Sequence, residues 1–190
     1  MSHGPVPASR ASMVLFLLAV APIAPIAPIA SGETVLVELG DIWRYAKGTQ
    51  APSDPPAEWR NPGFDDSGWL AGPSGIGYGD GDDATVLTDM QDSYIGIFTR
   101  RGFQVDDAGA VQNLVFSADY DDGFIAYLNG VEVARRNMGN PGEDFPFDRP
   151  ASPSHEAGTL ELLDLSAAVP LLVTGENTLA IQVHSWALTR

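Results

Sequence analysis

The sequence predicts an all-β fold: an antiparallel two-sheet β-sandwich of about eight strands. Three observations point there. Segments rich in β-formers recur at roughly 8–15-residue spacing between turn signals. The 20 glycines and 15 prolines leave little room for long helices. No stretch has the 3.6-residue apolar period of an amphipathic helix longer than two turns. Two sheets can each bury one face against the other, which is why the sandwich is favoured. Periodicity alone leaves jelly-roll and immunoglobulin-like topologies both open.

The elements follow in chain order. Thr34–Leu39 (TVLVEL) and Asp41–Ala46 (DIWRYA) read as strands. Residues 48–62 hold four prolines and read as a loop. Tyr94–Val105 is a long strand with a bend expected at Gly102, and Val111–Ala118 is another. Gly123–Leu128 and Val131–Arg136 flank Asn129-Gly130, a pair that readily takes positive φ at both central positions of a hairpin turn. Thr159–Leu165 follows, then a short helical turn over Ser166–Leu172, then a last strand, Asn177–Ser185.

Residues 1–32 carry one cation, Arg10, and no acid. An apolar run (MVLFLLAV, from Met13) leads into a threefold Ala-Pro-Ile repeat and small residues at Ala30-Ser31-Gly32. This is the pattern of a secretory signal peptide cleaved before Glu33, leaving a domain over 33–190. The alternative is a retained membrane anchor, which Pro22, Pro25 and Pro28 disfavour as a helix. The expected location is secreted, periplasmic or cell-surface, with no membrane contact after cleavage.

The chain of 190 residues has a net charge of -15, and 44% of its residues are hydrophobic. That supports a buried core and argues against wholesale disorder. Nucleic acid is excluded as a partner, because binding phosphates needs a basic face and no Lys/Arg cluster here exceeds a pair. Zero cysteines exclude thiol catalysis, cysteine zinc sites and disulfide support.

Several motifs occur in a fixed order: Trp43-Arg44-Tyr45; Trp59; Pro62-Gly63-Phe64-Asp65-Asp66-Ser67-Gly68-Trp69; Gly75-Ile76-Gly77-Tyr78-Gly79-Asp80; Phe98-Thr99-Arg100-Arg101-Gly102-Phe103; Asp119-Tyr120-Asp121-Asp122-Gly123-Phe124; and Gly175-Glu176-Asn177-Thr178-Leu179 running to His184. The series resembles the galactose-binding-domain-like β-sandwich. It is similar to the non-catalytic sugar-binding jelly roll of family-2 glycoside hydrolases and closer still to domains of large secreted bacterial proteins. The resemblance implies a jelly roll that binds carbohydrate or cell-surface glycan and works beside other domains of a parent protein. It also implies a further stretch after the His184 strand. A sandwich lacking its last strand, with an open edge that invites pairing, is therefore expected. Two other classes remain open: a structural or adhesive module with no small ligand, and the accessory domain of a hydrolase.

Each candidate site residue has a plain alternative. Tyr120, Asp121 and Asp122 could form a rim where carboxylates accept sugar hydroxyls and the ring packs on a sugar face. They could equally form a tight turn, with Gly123 supplying an unusual backbone angle. Arg136 and Asn137 could reach the same ligand, or Arg136 could join a surface ion pair of little energetic value. Trp59, in the proline-rich loop, is a better stacking platform than Trp43, which lies inside a strand. Asp80, Asp82 and Asp83 gather three carboxylates on a Gly-rich loop, suited to calcium as the one candidate cofactor or to simple solvation. Calcium-binding EF-hand spacing is absent. No nucleophile elbow or zinc-ligand spacing is present, and no catalytic residue is assigned.

Overall fold

The computed structural model describes residues 15–22, 34–79, 81 and 83–188. The architecture is an all-β sandwich. Its strands are β1 (Leu15–Pro22), β2 (Thr34–Val37), β3 (Ile42–Lys47), β4 (Leu70–Pro73), β5 (Ile76–Gly77), β6 (Thr85–Val86), β7 (Gly96–Val105), β8 (Val111–Asp119), β9 (Gly123–Leu128), β10 (Val131–Arg136), β11 (Glu161–Asp164) and β12 (Gly175–His184). A four-stranded sheet runs in the order β11-β8-β1-β2, and a six-stranded sheet in the order β10-β9-β12-β7-β3-β4. All pairings in these two sheets are antiparallel; β5 and β6 form a separate two-residue parallel pair.

The alternation of side chains along the strands explains the layers. From the smaller sheet, Val37, Leu114, Phe116 and Ala118 turn inward; from the larger, Trp43, Ile97, Phe103, Phe124, Leu128, Leu179 and Ile181 meet them in one core. Many of the alternate residues of the larger sheet do not face open water. Phe98, Ile125, Tyr127 and Ala180 form a second apolar cluster on its outer face, covered by Trp59, Met138, Phe145 and Ala151. The sandwich thus has a third, partial layer built from loops.

The hairpin signal is borne out: β9 and β10 pair across Asn129 (φ 49°) and Gly130 (φ 86°), both in the left-handed region. Asn129 is also tied down by its side chain, which accepts from the Thr178 N–H and donates to the Leu171 carbonyl. The expected bend at Gly102 does not interrupt pairing, since the register of β7 on β12 runs unbroken from Gly96 to Val105. The turn after β11 is a 3-10 helix, Ser166–Leu171. Beyond the expected strands, the structure adds β4, which bears Gly and Pro, and β5 and β6, which are two residues each and too short to carry a strand pattern, and it adds β1. That strand is formed by residues the sequence reads as a leader. No helix of the described residues is long and apolar enough to cross a membrane.

Candidate functional site

Five of the six expected ligand residues come together at one end of the sandwich, around the β8–β9 connection. Four of them, Tyr120, Asp122, Arg136 and Asn137, are engaged in holding the fold. Asp122 accepts from the His155 N–H at 2.7 Å and the Trp186 N–H at 2.8 Å, so one carboxylate fastens two distant loops. Its own carbonyl accepts from Asn137 Nδ2 at 2.9 Å. The Tyr120 ring stacks on His155, with centroids 4.2 Å apart and planes 11° off parallel. Its hydroxyl donates to Glu161 at 3.2 Å, and Arg136 grips the same carboxylate at 2.6 and 3.0 Å. Arg136 holds the Glu161 carboxyl below its usual range, while burial pushes the Tyr120 phenol up to about 12.

The structure places the residues of the expected sugar-binding rim in the interior. Tyr120, Asp121 and Asp122 are only 3%, 2% and 0% exposed. An Asp-rich turn between two strands looks solvated in sequence. Here the loop bearing His155 folds over it, and the backbone N–H groups of that loop need acceptors. The unusual backbone angle expected of Gly123 is not found. A β-carbon there would stand 2.8 Å from the Arg136 carbonyl and 2.9 Å from Met138, so the glycine serves close packing, not an unusual angle.

Of the expected calcium ligands, Asp80 and Asp82 lie outside the described residues, and Asp83 is half-buried. Tyr78, just ahead of that loop, has its phenol raised by burial and then by the charges of Asp121, Asp92 and Asp122. Carboxylates from two loops, Asp92 and the Asp121-Asp122 pair, therefore lie near Tyr78. Among the described residues no three His, Cys, Asp or Glu side chains are placed to hold a metal ion.

Trp59, the sixth expected residue, lies elsewhere, on the outer face of the larger sheet. It sits on a 3-10 turn, Glu58–Arg60, whose chain direction is set by the surrounding prolines. The indole packs edge-on to Phe98 (5.0 Å, 72°) and to Tyr127 (5.8 Å, 87°) and stacks loosely on Trp69 (6.3 Å, 28°). It is 3% exposed, so it is a wall and not an open platform. What it walls is a slot of about 320 Å³, at the lower end of small-molecule sites.

The slot has a consistent chemistry. Trp59, Phe98, Tyr127, Phe145 and Phe147 supply aromatic surface. Arg60 lies 4.7 Å from the Tyr127 ring centroid and 3.6 Å from Asp144, which places a charged pair at the rim. Gln182 reaches the floor from β12, donating to the Phe145 carbonyl at 2.9 Å and lying 2.9 Å from His184 Nε2. His184 Nδ1 is 2.6 Å from the Arg149 carbonyl. A carbonyl can only accept, so Nδ1 carries the proton and Nε2 accepts from Gln182. Burial holds this imidazole down to about 4, hence neutral. The Gln182 amide is therefore a fixed polar group on the floor beneath the aromatic walls, held by the Phe145 carbonyl and, from behind the lining, by His184.

Arg100 fixes the opposite side of the Trp59 turn. It is 5% exposed, and its guanidinium donates to Asp66 at 2.8 Å, to the Asn61 carbonyl at 3.1 Å, and to the Trp59 carbonyl. A second, wider cleft of about 560 Å³ continues along the same face, past Arg44, Phe64, Gly102, Glu176 and Thr178. Of its arginines, Arg100 is engaged with Asp66, and Arg101 with Asp41 at 3.3 Å.

Sequence reading found Trp59 but missed Arg60, Tyr127, Asp144, Phe145, Phe147 and Gln182. Tyr127 and Gln182 looked like ordinary strand residues. The signal that could have found Phe145 and Phe147 is their setting in Asp-Phe-Pro-Phe-Asp-Arg, two aromatics held in a proline loop between acids.

No protein-family model matches the chain. No curated protein sequence matches it. Solved structures similar to it include a β-glucuronidase of an uncultured Clostridium species, at 18% identity and TM-score 0.48, covering 96% of this chain and 24% of that one. Another is the β-glucuronidase of Bifidobacterium dentium complexed with coumarin-3-O-glucuronide, at 17% identity and TM-score 0.45, covering 92% and 20%. A third is the β-glucuronidase of Ruminococcus gnavus, at 14% identity and TM-score 0.45, covering 87% and 23%. This chain spans about a fifth to a quarter of the length of each.

Proposed function

We propose that the chain is a non-catalytic carbohydrate-binding module of an exported bacterial protein, a galactose-binding-like sandwich that serves as the accessory domain of a larger polypeptide. It takes its ligand in the Trp59 slot. The observation that carries the reading is the slot itself, with aromatic walls, an Arg60–Asp144 pair at the rim and an amide on the floor. A sugar ring has apolar faces and polar edges, and these are the groups it needs. The ordered motifs from Trp43 to His184 support the same class. Asp144 is the only carboxylate among the described residues lining the slot. Glycoside hydrolysis by the usual route needs two carboxyl groups across the bond, so the proposed role is binding.

Polysaccharide pull-down and a glycan array on the exported protein test the reading, with Phe147→Ala as the diagnostic variant. Phe147 is half-buried at the rim and adds to the outer cluster from its edge, so its loss leaves the main core intact. At least one glycan should bind, and Phe147→Ala should weaken it about tenfold while the melting temperature falls by only a few degrees. No binding to any glycan, or equal binding by the variant, contradicts the reading.

Calcium on the Asp80–Asp83 loop belongs to the same proposal. Hard cations take oxygen ligands, and the acids near Tyr78 extend the supply. A native-state ligand must raise stability by mass action, by about 2.7 kcal/mol at a hundredfold excess over Kd. Millimolar calcium should therefore raise the melting temperature of chelator-treated protein. An unchanged melting temperature removes calcium from the account.

A further inference from the structure

β1 consists of the residues that read as the apolar middle of an export leader. It is the inner strand of the smaller sheet, antiparallel to β8 on one side and β2 on the other. Its register on β8 runs from Leu15 opposite Asp119 to Pro22 opposite Val111, nearly the whole of β8. β2 has no ladder partner except β1 among the described residues. Cleavage before Glu33 would take β1 away and keep both of its neighbours.

What remains would be an unguarded edge. Proteins blunt edge strands with charge, proline or bulges. Val111–Ala118 (VQNLVFSA) contains no charged residue and no proline. Behind that backbone, Leu114, Phe116 and Ala118 are 0% exposed. A bare run of N–H and C=O groups would then border a closed core, a state that backbone groups of folded proteins rarely keep.

We propose that β8 and β2 flank a strand-acceptor groove. Leu15–Pro22 fills it in the unprocessed chain. After processing, the groove binds another extended, uncharged apolar strand of about eight residues, running antiparallel to β8. The chemistry of the occupant is read from the segment seated there, which carries no charge, and from residues 111–118 of β8, which offer none to pair with. Affinity comes from main-chain ladder bonds and selectivity from alternate side chains, as in strand addition generally. This inference does not depend on the sugar-binding reading.

The experiment uses the full chain with a specific protease site replacing Ala30-Ser31-Gly32, cut after folding. Amide exchange of β8 is read before cutting, after separation of the fragment, and after adding a synthetic Leu15–Pro22 peptide with lysine tails. Release should speed β8 exchange at least tenfold or unfold the chain, and the peptide should restore protection. A peptide with glutamate at alternate positions should not. A fragment that stays bound through gel filtration, with β8 protected, is the same result without release. Unchanged β8 exchange after release, or a peptide that restores nothing, overturns the proposal. A second measurement needs no cutting: Leu17→Cys with Ser117→Cys, opposite each other in register, should form a disulfide in this cysteine-free chain, whereas Leu18→Cys with Ser117→Cys should not. Equal crosslinking of both pairs also overturns it.

Discussion

Replacing Arg100 with methionine is expected to lower stability by about 3 kcal/mol, a fall in melting temperature of about 10 °C for a chain of this size. The cause is local. The guanidinium is nearly fully buried beside Asp66 and holds two carbonyls of the Trp59 turn. Methionine fills the volume but donates nothing, so Asp66 loses its cation and the Trp59 and Asn61 carbonyls lose their donor. Asp66 keeps some contact with water, which places the loss at the lower end of the range for a broken buried pair. Arg44 is the internal control. It lies directly opposite Arg100 on β3, is exposed, and makes one long bond of 3.4 Å to the Trp69 carbonyl. Arg44→Met should change stability by less than about 0.5 kcal/mol. If both variants melt together, Arg100 is not the anchor of the turn. In the proposed function, Arg100→Met should also lose glycan binding beyond its loss of stability, because Trp59 is a wall of the slot.

Acid should destabilise the chain through His184, well before its carboxylates titrate. The imidazole is fully buried and held at about 4, against 6.5 when unfolded. The native state therefore binds fewer protons than the unfolded state between those values. Its contribution is complete above about pH 6.5 and is lost progressively as pH falls toward 4. The full loss is roughly 3 kcal/mol. Protonation would put an N–H on Nε2, facing the Gln182 amide that now donates to it. The carboxyls of Glu132 and Glu161, held low by Arg135 and Arg136, add their own losses only below their unfolded range near 4.5. His184→Gln should flatten the stability profile between pH 6.5 and 4.5. A variant profile as steep as that of the parent would assign the acid sensitivity elsewhere. Gly96 belongs to the same device, since a β-carbon there would lie 2.4 Å from His184 Nε2.

What could be read from the sequence depended on how local the cause was. The β9–β10 hairpin was legible because Asn129-Gly130 fixes its own backbone angles. The strands β3, β7, β8 and β12 were legible because their apolar pattern reflects burial. β4 was not, since Leu-Ala-Gly-Pro becomes a strand only by lying beside β3 at the sheet edge. The candidate site divides in the same way. Trp59 stood out as an aromatic in a proline loop. The fate of Tyr120 and Asp122 depended on a segment more than thirty residues away, the loop carrying His155, which no local pattern announces. The outer-face slot needed three distant pieces, the Trp59 turn, the Phe145–Phe147 loop and Gln182 of β12. Only the fold reveals that these meet.

The central claim is that recognition occurs in the slot on the outer face of the larger sheet. It is tested most directly by a heteronuclear NMR titration of the protein with a panel of oligosaccharides. The account predicts saturable shifts of the Trp59 indole N–H, the Gln182 side-chain amide and the Phe147 backbone for at least one sugar, with the β8–β9 end unmoved. Shifts confined to residues around Tyr120 and Asp122, or no saturable shift with any sugar, would contradict it.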